Sequence, residues 1–62
     1  MFESKCRLDF DNVRWASIEI TEPVSIKLEF SVSPIFLNLH EVDRLLKIIQ
    51  ASIAHYRMHT EN

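Results

Sequence analysis

The stretch from Asn38 to Met58 most constrains the fold of this 62-residue chain, because it has the period of an amphipathic helix. Its apolar residues recur at spacings of three and four and fill one arc of roughly 120° on a helical projection. They are Leu39, Val42, Leu45, Leu46, Ile49, Ile53 and Tyr56. We predict that this arc is the core face. Asn38 suits an N-cap, and Glu41, three residues later, completes the spacing of a capping box.

The same spacing also fits a coiled coil, but it covers fewer than three heptads and lacks consistent flanking charge pairs. Strand patterns precede the segment, so a helix lying on a sheet is the better interpretation. Ile48 falls outside the apolar arc, near Arg44 and Ser52 on the projection. It is either a single exposed isoleucine, which is common on protein surfaces, or part of a contact with a second chain.

Three segments before the helix alternate apolar and polar residues and are predicted to be half-buried strands. They span Phe2–Phe10, Val13–Ile20 and Val24–Val32. The third has the clearest alternation, with five apolar side chains on one face, and a slip of one residue would expose all five. We therefore expect the third strand to set the register of the sheet.

The second strand has two possible buried faces, which depend on the length of the preceding turn. A two-residue turn would bury Val13 and Trp15, whereas a three-residue turn would bury Ala16, Ile18 and Ile20. A bulge near Ala16 could bury residues of both sets. The third strand favours burial of Ile18 and Ile20, and a three-residue second turn then pairs Ile18 with Ile26 and Ile20 with Val24.

Trp15 then lies on the polar face of the sheet, between Asp9 and Glu29 of the neighbouring strands. Tryptophan is enriched at binding hot spots, so Trp15 is a candidate partner-binding residue. The alternatives are a bulge that turns the ring inward, or a cover formed by the stems of arginine and lysine side chains.

Ile35, Phe36 and Leu37 follow Ser33-Pro34 and suggest a short fourth strand, covered on both sides or located at a chain interface. Proline suits such an edge position because its missing N–H is harmless there. We predict a single α+β domain over residues 1–62, an antiparallel meander of three strands with a short fourth, then one helix packed on one sheet face (ββββα or βββα).

The size of the chain predicts a homodimer. Sixty-two residues with one cysteine are near the lower limit for a self-sufficient core, and no intrachain disulfide can support it. One helix also covers only part of such a sheet, and the sheet edges need protection. Pairing through an edge strand or through the segment 35–37 would cover more of the sheet and would also protect its edges.

Composition limits the classes of function. The net charge of −2 comes from mixed charges without a basic stripe, which argues against nucleic-acid binding. No apolar run approaches about 18 residues, and the N-terminus lacks the pattern of a signal peptide. The single cysteine is typical of a reducing compartment, so we expect a cytoplasmic protein. The absence of glycine excludes glycine-rich phosphate loops.

Catalytic and metal-binding patterns are weak. His55 and His59 have the i,i+4 spacing of a shared metal site, but a third ligand is missing, so we expect two solvated histidines. Cys6 reads as a small core residue without a neighbouring base. The scattered carboxylates suggest no pair with separated pKa values. We predict no enzyme activity, no cofactor and no metal site.

The sequence therefore favours a small protein that acts by binding another protein, as a homodimeric adaptor, inhibitor or regulator. The candidate contact residues are Trp15, Ile48, Ile35, Phe36 and Arg44. The alternative is nucleic-acid binding by the polar sheet face, with Trp15 stacking on a base. In size and layout the chain resembles the compact accessory or inhibitor proteins of bacteria and their phages. This resemblance is one of architecture only, since the sequence has no motif specific to a family.

Overall fold

The computed structural model describes residues 2–22 and 25–61, and residue 61 by its backbone alone. Over these residues the chain forms β1 (Glu3–Asp9), β2 (Trp15–Thr21), β3 (Ser25–Phe30) and α1 (Leu39–Glu61). The strands make an open antiparallel sheet in the order β1-β2-β3, and α1 packs on one of its faces. The predicted α+β fold of a three-stranded meander followed by one helix is confirmed.

The predicted fourth strand is not formed. Residues 35–38 have no regular structure, so the described part of the chain has the βββα arrangement. The sequence also predicted a frayed tail from His59 to Asn62, but α1 continues through His59 to Glu61, and Asn62 lies outside the described residues. Over the described residues, no helix combines the length and the apolarity needed to cross a membrane.

The register of β1 and β2 is the one that a three-residue turn produces. Asp9 lies opposite Trp15 and Cys6 lies opposite Ile18, and the amide of Phe10 donates to the carbonyl of Arg14 at 2.9 Å. This register places Ile18 on the inner face, as predicted. No bulge is needed to bury it.

The register of β2 and β3 differs from the prediction by two residues. Ile18 lies opposite Leu28 and Ile20 lies opposite Ile26. Val24, the partner predicted for Ile20, lies outside the described residues. A shift of two residues keeps every side chain on its predicted face, because side chains alternate with a period of two.

The core is small and lies between α1 and the first two strands. Ala16, Ile18 and Ile20 on β2 are each 1% exposed, and Phe2 covers the end of the sheet. Half-buried side chains of Cys6, Ile48, Ile49 and Tyr56 complete this cluster. The prediction that Ile48 lies outside the core face is therefore wrong.

Candidate protein-binding surface

The helix is rotated so that the sheet meets only one edge of its predicted apolar arc. Ser52, 8% exposed, and Glu41, 9% exposed, lie at the centre of the packed face, although both are polar. At about 100° per residue this face is turned roughly 80° from the middle of the apolar arc. The other edge of the arc is therefore uncovered: Leu39 is 86% exposed, Val42 36% and Leu46 51%.

The uncovered edge of α1 faces β3. The first turn of α1 bonds to Arg14, just before β2, and its last turns contact Phe2, beside the end of β2, so α1 runs parallel to β2. The carbonyl of Trp15 accepts from Ser31 on the β3 side, so the alternate residues of β2, whose side chains face the helix, direct their backbone groups toward β1. The chirality of L-residues then fixes on which side of β2 the third strand lies, and the right-handed turn of α1 places Val42 and Leu46 on that side.

The inner face of β3 is uncovered as well. The helix packs on β1 and β2. The inner side chains of β3, and that of Val32 just after it, have no helix above them. Ile26 is 52% exposed, Leu28 48%, Phe30 41% and Val32 41%. We name the seven exposed apolar residues of β3, its extension and α1 the β3–α1 surface: Ile26, Leu28, Phe30, Val32, Leu39, Val42 and Leu46.

The β3–α1 surface is large for a chain of this size. If a large apolar residue has about 200 Å² of surface, the seven exposed fractions correspond to roughly 700 Å². The largest apolar patch of a typical monomer is about 300–600 Å². The whole chain exposes 4663 Å², compared with roughly 4200 Å² for a folded monomer of its mass. The chain therefore exposes more surface than a typical folded monomer of its mass.

Arg14 connects the β1–β2 turn to the start of α1. Its Nη1 and Nη2 donate to Oε1 and Oε2 of Glu41 at 3.1 and 2.7 Å, and its Nε donates to Oδ2 of Asp11 at 2.8 Å. Nη1 also donates to the carbonyl of Phe36 at 2.7 Å. This set of bonds fixes the turn, the segment before the helix and the first turn of the helix relative to one another.

The capping box predicted for α1 is confirmed and joins the same network. The amide of Glu41 donates to Oδ1 of Asn38 at 2.8 Å, and the amide of Asn38 donates to Oε1 of Glu41 at 3.0 Å. The carboxylate of Glu41 thus accepts hydrogen bonds from both the cap residue and Arg14. This double use explains why a charged residue faces the sheet at the start of the helix.

The network also sets the charge states of its members. Hydrogen bonds from the backbone and side chain of Arg14, then from the amide of Val13, lower the pKa of Asp11 to about 2. Hydrogen bonds from Arg14 and from the amide of Asn38 lower the pKa of Glu41. The bonds to Glu41 and Asp11 raise the pKa of Arg14. The three groups are therefore charged around neutral pH.

Trp15 lies on the polar face, as predicted, but with different neighbours. Ser31 takes the place predicted for Glu29: its amide donates to the carbonyl of Trp15 at 3.0 Å, and its Oγ accepts from the amide of Trp15 at 2.9 Å. The guanidinium of Arg7 lies 4.5 Å from the centroid of the Trp15 ring. Trp15 is half-buried under this cover, which is one of the alternatives foreseen from the sequence.

The other predicted contact residues do not form one patch. Phe36 is 79% exposed beside the Arg14 network, and Ile35 is half-buried next to it. Arg44 is exposed on the β1 side of α1, and Ile48 is turned into the core. Their roles in binding stay predictions. The structure adds the β3–α1 surface, whose residues the sequence assigned to the core because it cannot show which part of an apolar arc is covered.

His55 and His59 are exposed, as predicted, and their rings also contact the N-terminal segment. The ring of His59 lies 4.7 Å from that of Phe2, and its Nε2 is 3.4 Å from a carboxylate oxygen of Glu22. Within residues 2–22 and 25–61, no three histidine, cysteine or acidic side chains gather as metal ligands would.

The chain matches no protein-family model, and neither a curated protein nor a solved structure shows significant similarity to it. The geometry of the chain is therefore the basis for assigning its function.

Proposed function

We propose that this protein acts by binding protein chains, as a homodimeric adaptor, inhibitor or regulator without chemistry of its own. The observation that carries this proposal is the β3–α1 surface, where an apolar strand face and an apolar helix edge lie side by side without cover. A surface of this area approaches the roughly 800 Å² that each partner buries in a standard interface.

The small core supports self-association in particular. Only four apolar residues among those described are buried, and three of them come from one strand. Small domains without disulfides commonly gain stability by oligomerising, and a second copy is the partner that is always present. We expect the dimer to form in a reducing compartment such as the cytoplasm, in keeping with the single cysteine of the sequence.

Light scattering over a range of micromolar concentrations tests this proposal. We expect twice the chain mass of 7.3 kDa. Leu28→Asp places a charge in the β3–α1 surface and should give a monomer with an unchanged far-ultraviolet circular dichroism spectrum. The matched control is Val13→Asp, because Val13 is 68% exposed on the β1–β2 turn outside this surface. A wild-type monomer at all concentrations would contradict the homodimer.

A further inference from the structure

Three apolar residues of α1 are evenly spaced about Leu46, the eighth residue of the helix. Leu39 and Ile53 each lie seven residues from Leu46, and seven residues are close to two helical turns, so the three share one side. Leu39 and Leu46 are exposed and Ile53 is half-buried. The spacing of this apolar row is the same in both directions along the helix, as a twofold pair of antiparallel helices requires.

This inference rests on the proposed function and specifies its geometry. We propose that two copies pair through α1 in antiparallel orientation, about a twofold axis at Leu46. Leu46 then packs on its own copy, and Leu39 of each chain packs on Ile53 of the other. Ile53 also borders a shallow hollow of about 420 Å³, whose other lining residues are Gln50, Ala54, Arg57 and Met58.

The sheet decides between antiparallel and parallel helices. The uncovered edge of α1 points toward β3, so helices that pair on this side bring the two β3 strands near each other. An antiparallel pair keeps both sheets on the same side of the helices and places the two β3 edges next to one another. A parallel pair places the sheets on opposite sides and leaves both edges open, with unpaired backbone N–H and C=O groups. Helix dipoles also favour the antiparallel pair.

The antiparallel arrangement covers both uncovered parts of the chain with one contact. The helix edge at Leu46 meets the second helix, and the inner side chains of β3, such as Leu28, face the side from which that helix approaches. The outer edge of β3 gains a neighbouring strand. An unlike partner would have to match the strand face, the helix edge and the strand edge together, whereas a second copy supplies all three by symmetry.

Disulfide trapping tests the arrangement, in a Cys6→Ser background that removes the native thiol. Cysteines form a disulfide only when their Cα atoms are within about 7 Å. Leu46→Cys should therefore cross-link two chains under mild oxidation, since it lies on the axis. Leu39→Cys should not, because the two copies of residue 39 would be about 21 Å apart along antiparallel helices. Arg44→Cys, exposed on the β1 side, is the control for random collision.

The outcomes separate the helix pair from the homodimer. Cross-linking of Leu46→Cys without Leu39→Cys supports the antiparallel pair. Equal cross-linking of both variants indicates parallel helices and overturns it. A dimer in light scattering that neither variant traps shows that another face is used, which overturns the helix pair and leaves the homodimer standing. A monomeric background protein overturns both.

Discussion

Arg14 and Glu41 form a two-pronged ion pair between residues that are 27 positions apart, with distances of 3.1 and 2.7 Å. The pair joins the β1–β2 turn to the first turn of α1. It holds Glu41 against the sheet, and the apolar residues Val42 and Leu46 are consequently turned away from it. The rotation of the helix, and with it the β3–α1 surface, is linked to this contact.

Arg14→Lys should lower the thermal unfolding midpoint. Lysine has no planar fork, so it cannot bond both oxygens of Glu41 while also reaching Asp11 and the carbonyl of Phe36. Differential scanning calorimetry would measure the shift, with Arg44→Lys as the control at an exposed helix position. Equal midpoints for the two variants would show that the network does not hold the helix in place.

Asp11 should contribute stability that acid removes. Its pKa is about 2 in the folded chain and 3.8 when unperturbed, so protonation opposes folding as the pH falls. The contribution is present above about pH 4 and is lost between about pH 4 and 2. Urea unfolding of Asp11→Asn should show a weaker loss across this window than the wild type. Asn12→Ala, which changes a residue of the same turn that does not titrate, should keep the wild-type dependence.

Asn38→Ala should lower the free energy of unfolding by about 1 kcal/mol, the usual cost of removing an N-cap. The substitution removes the acceptor of the Glu41 amide, which is then left without its capping partner. Chemical denaturation would measure the loss, with Asn12→Ala in the exposed β1–β2 turn as the control. An unchanged free energy would show that water replaces the cap without cost.

Ile18→Ala and Leu28→Ala compare two apolar residues that lie opposite each other on β2 and β3. Ile18 is 1% exposed and Leu28 is 48% exposed. In protein dilute enough to be monomeric, the first substitution should cost about 2–5 kcal/mol and the second about 1 kcal/mol or less. Urea midpoints would measure both. Similar losses would mean that the inner face of β3 is covered in the single chain.

Much of the secondary structure could be predicted, because its signals are local. The alternation in β1 and β3, the capping box at Asn38 and Glu41 and the period of α1 each depend on residues close in sequence. The short strand at 35–37 was predicted wrongly, since an apolar triplet has no periodicity that separates a strand from an irregular segment. The candidate surface was not predicted, because its residues have the composition of a core.

The sequence by itself determined three strands and one helix, their order and the face that each strand turns inward. The tertiary structure alone decided how α1 rotates on the sheet. An apolar arc of roughly 120° is wider than the strip that a sheet covers, so the local pattern allows more than one rotation. The contact between Arg14 and Glu41 accompanies one of them, and it joins residues far apart in sequence. That choice packs Ile48 and Ser52 against the sheet and leaves Leu39, Val42 and Leu46 exposed.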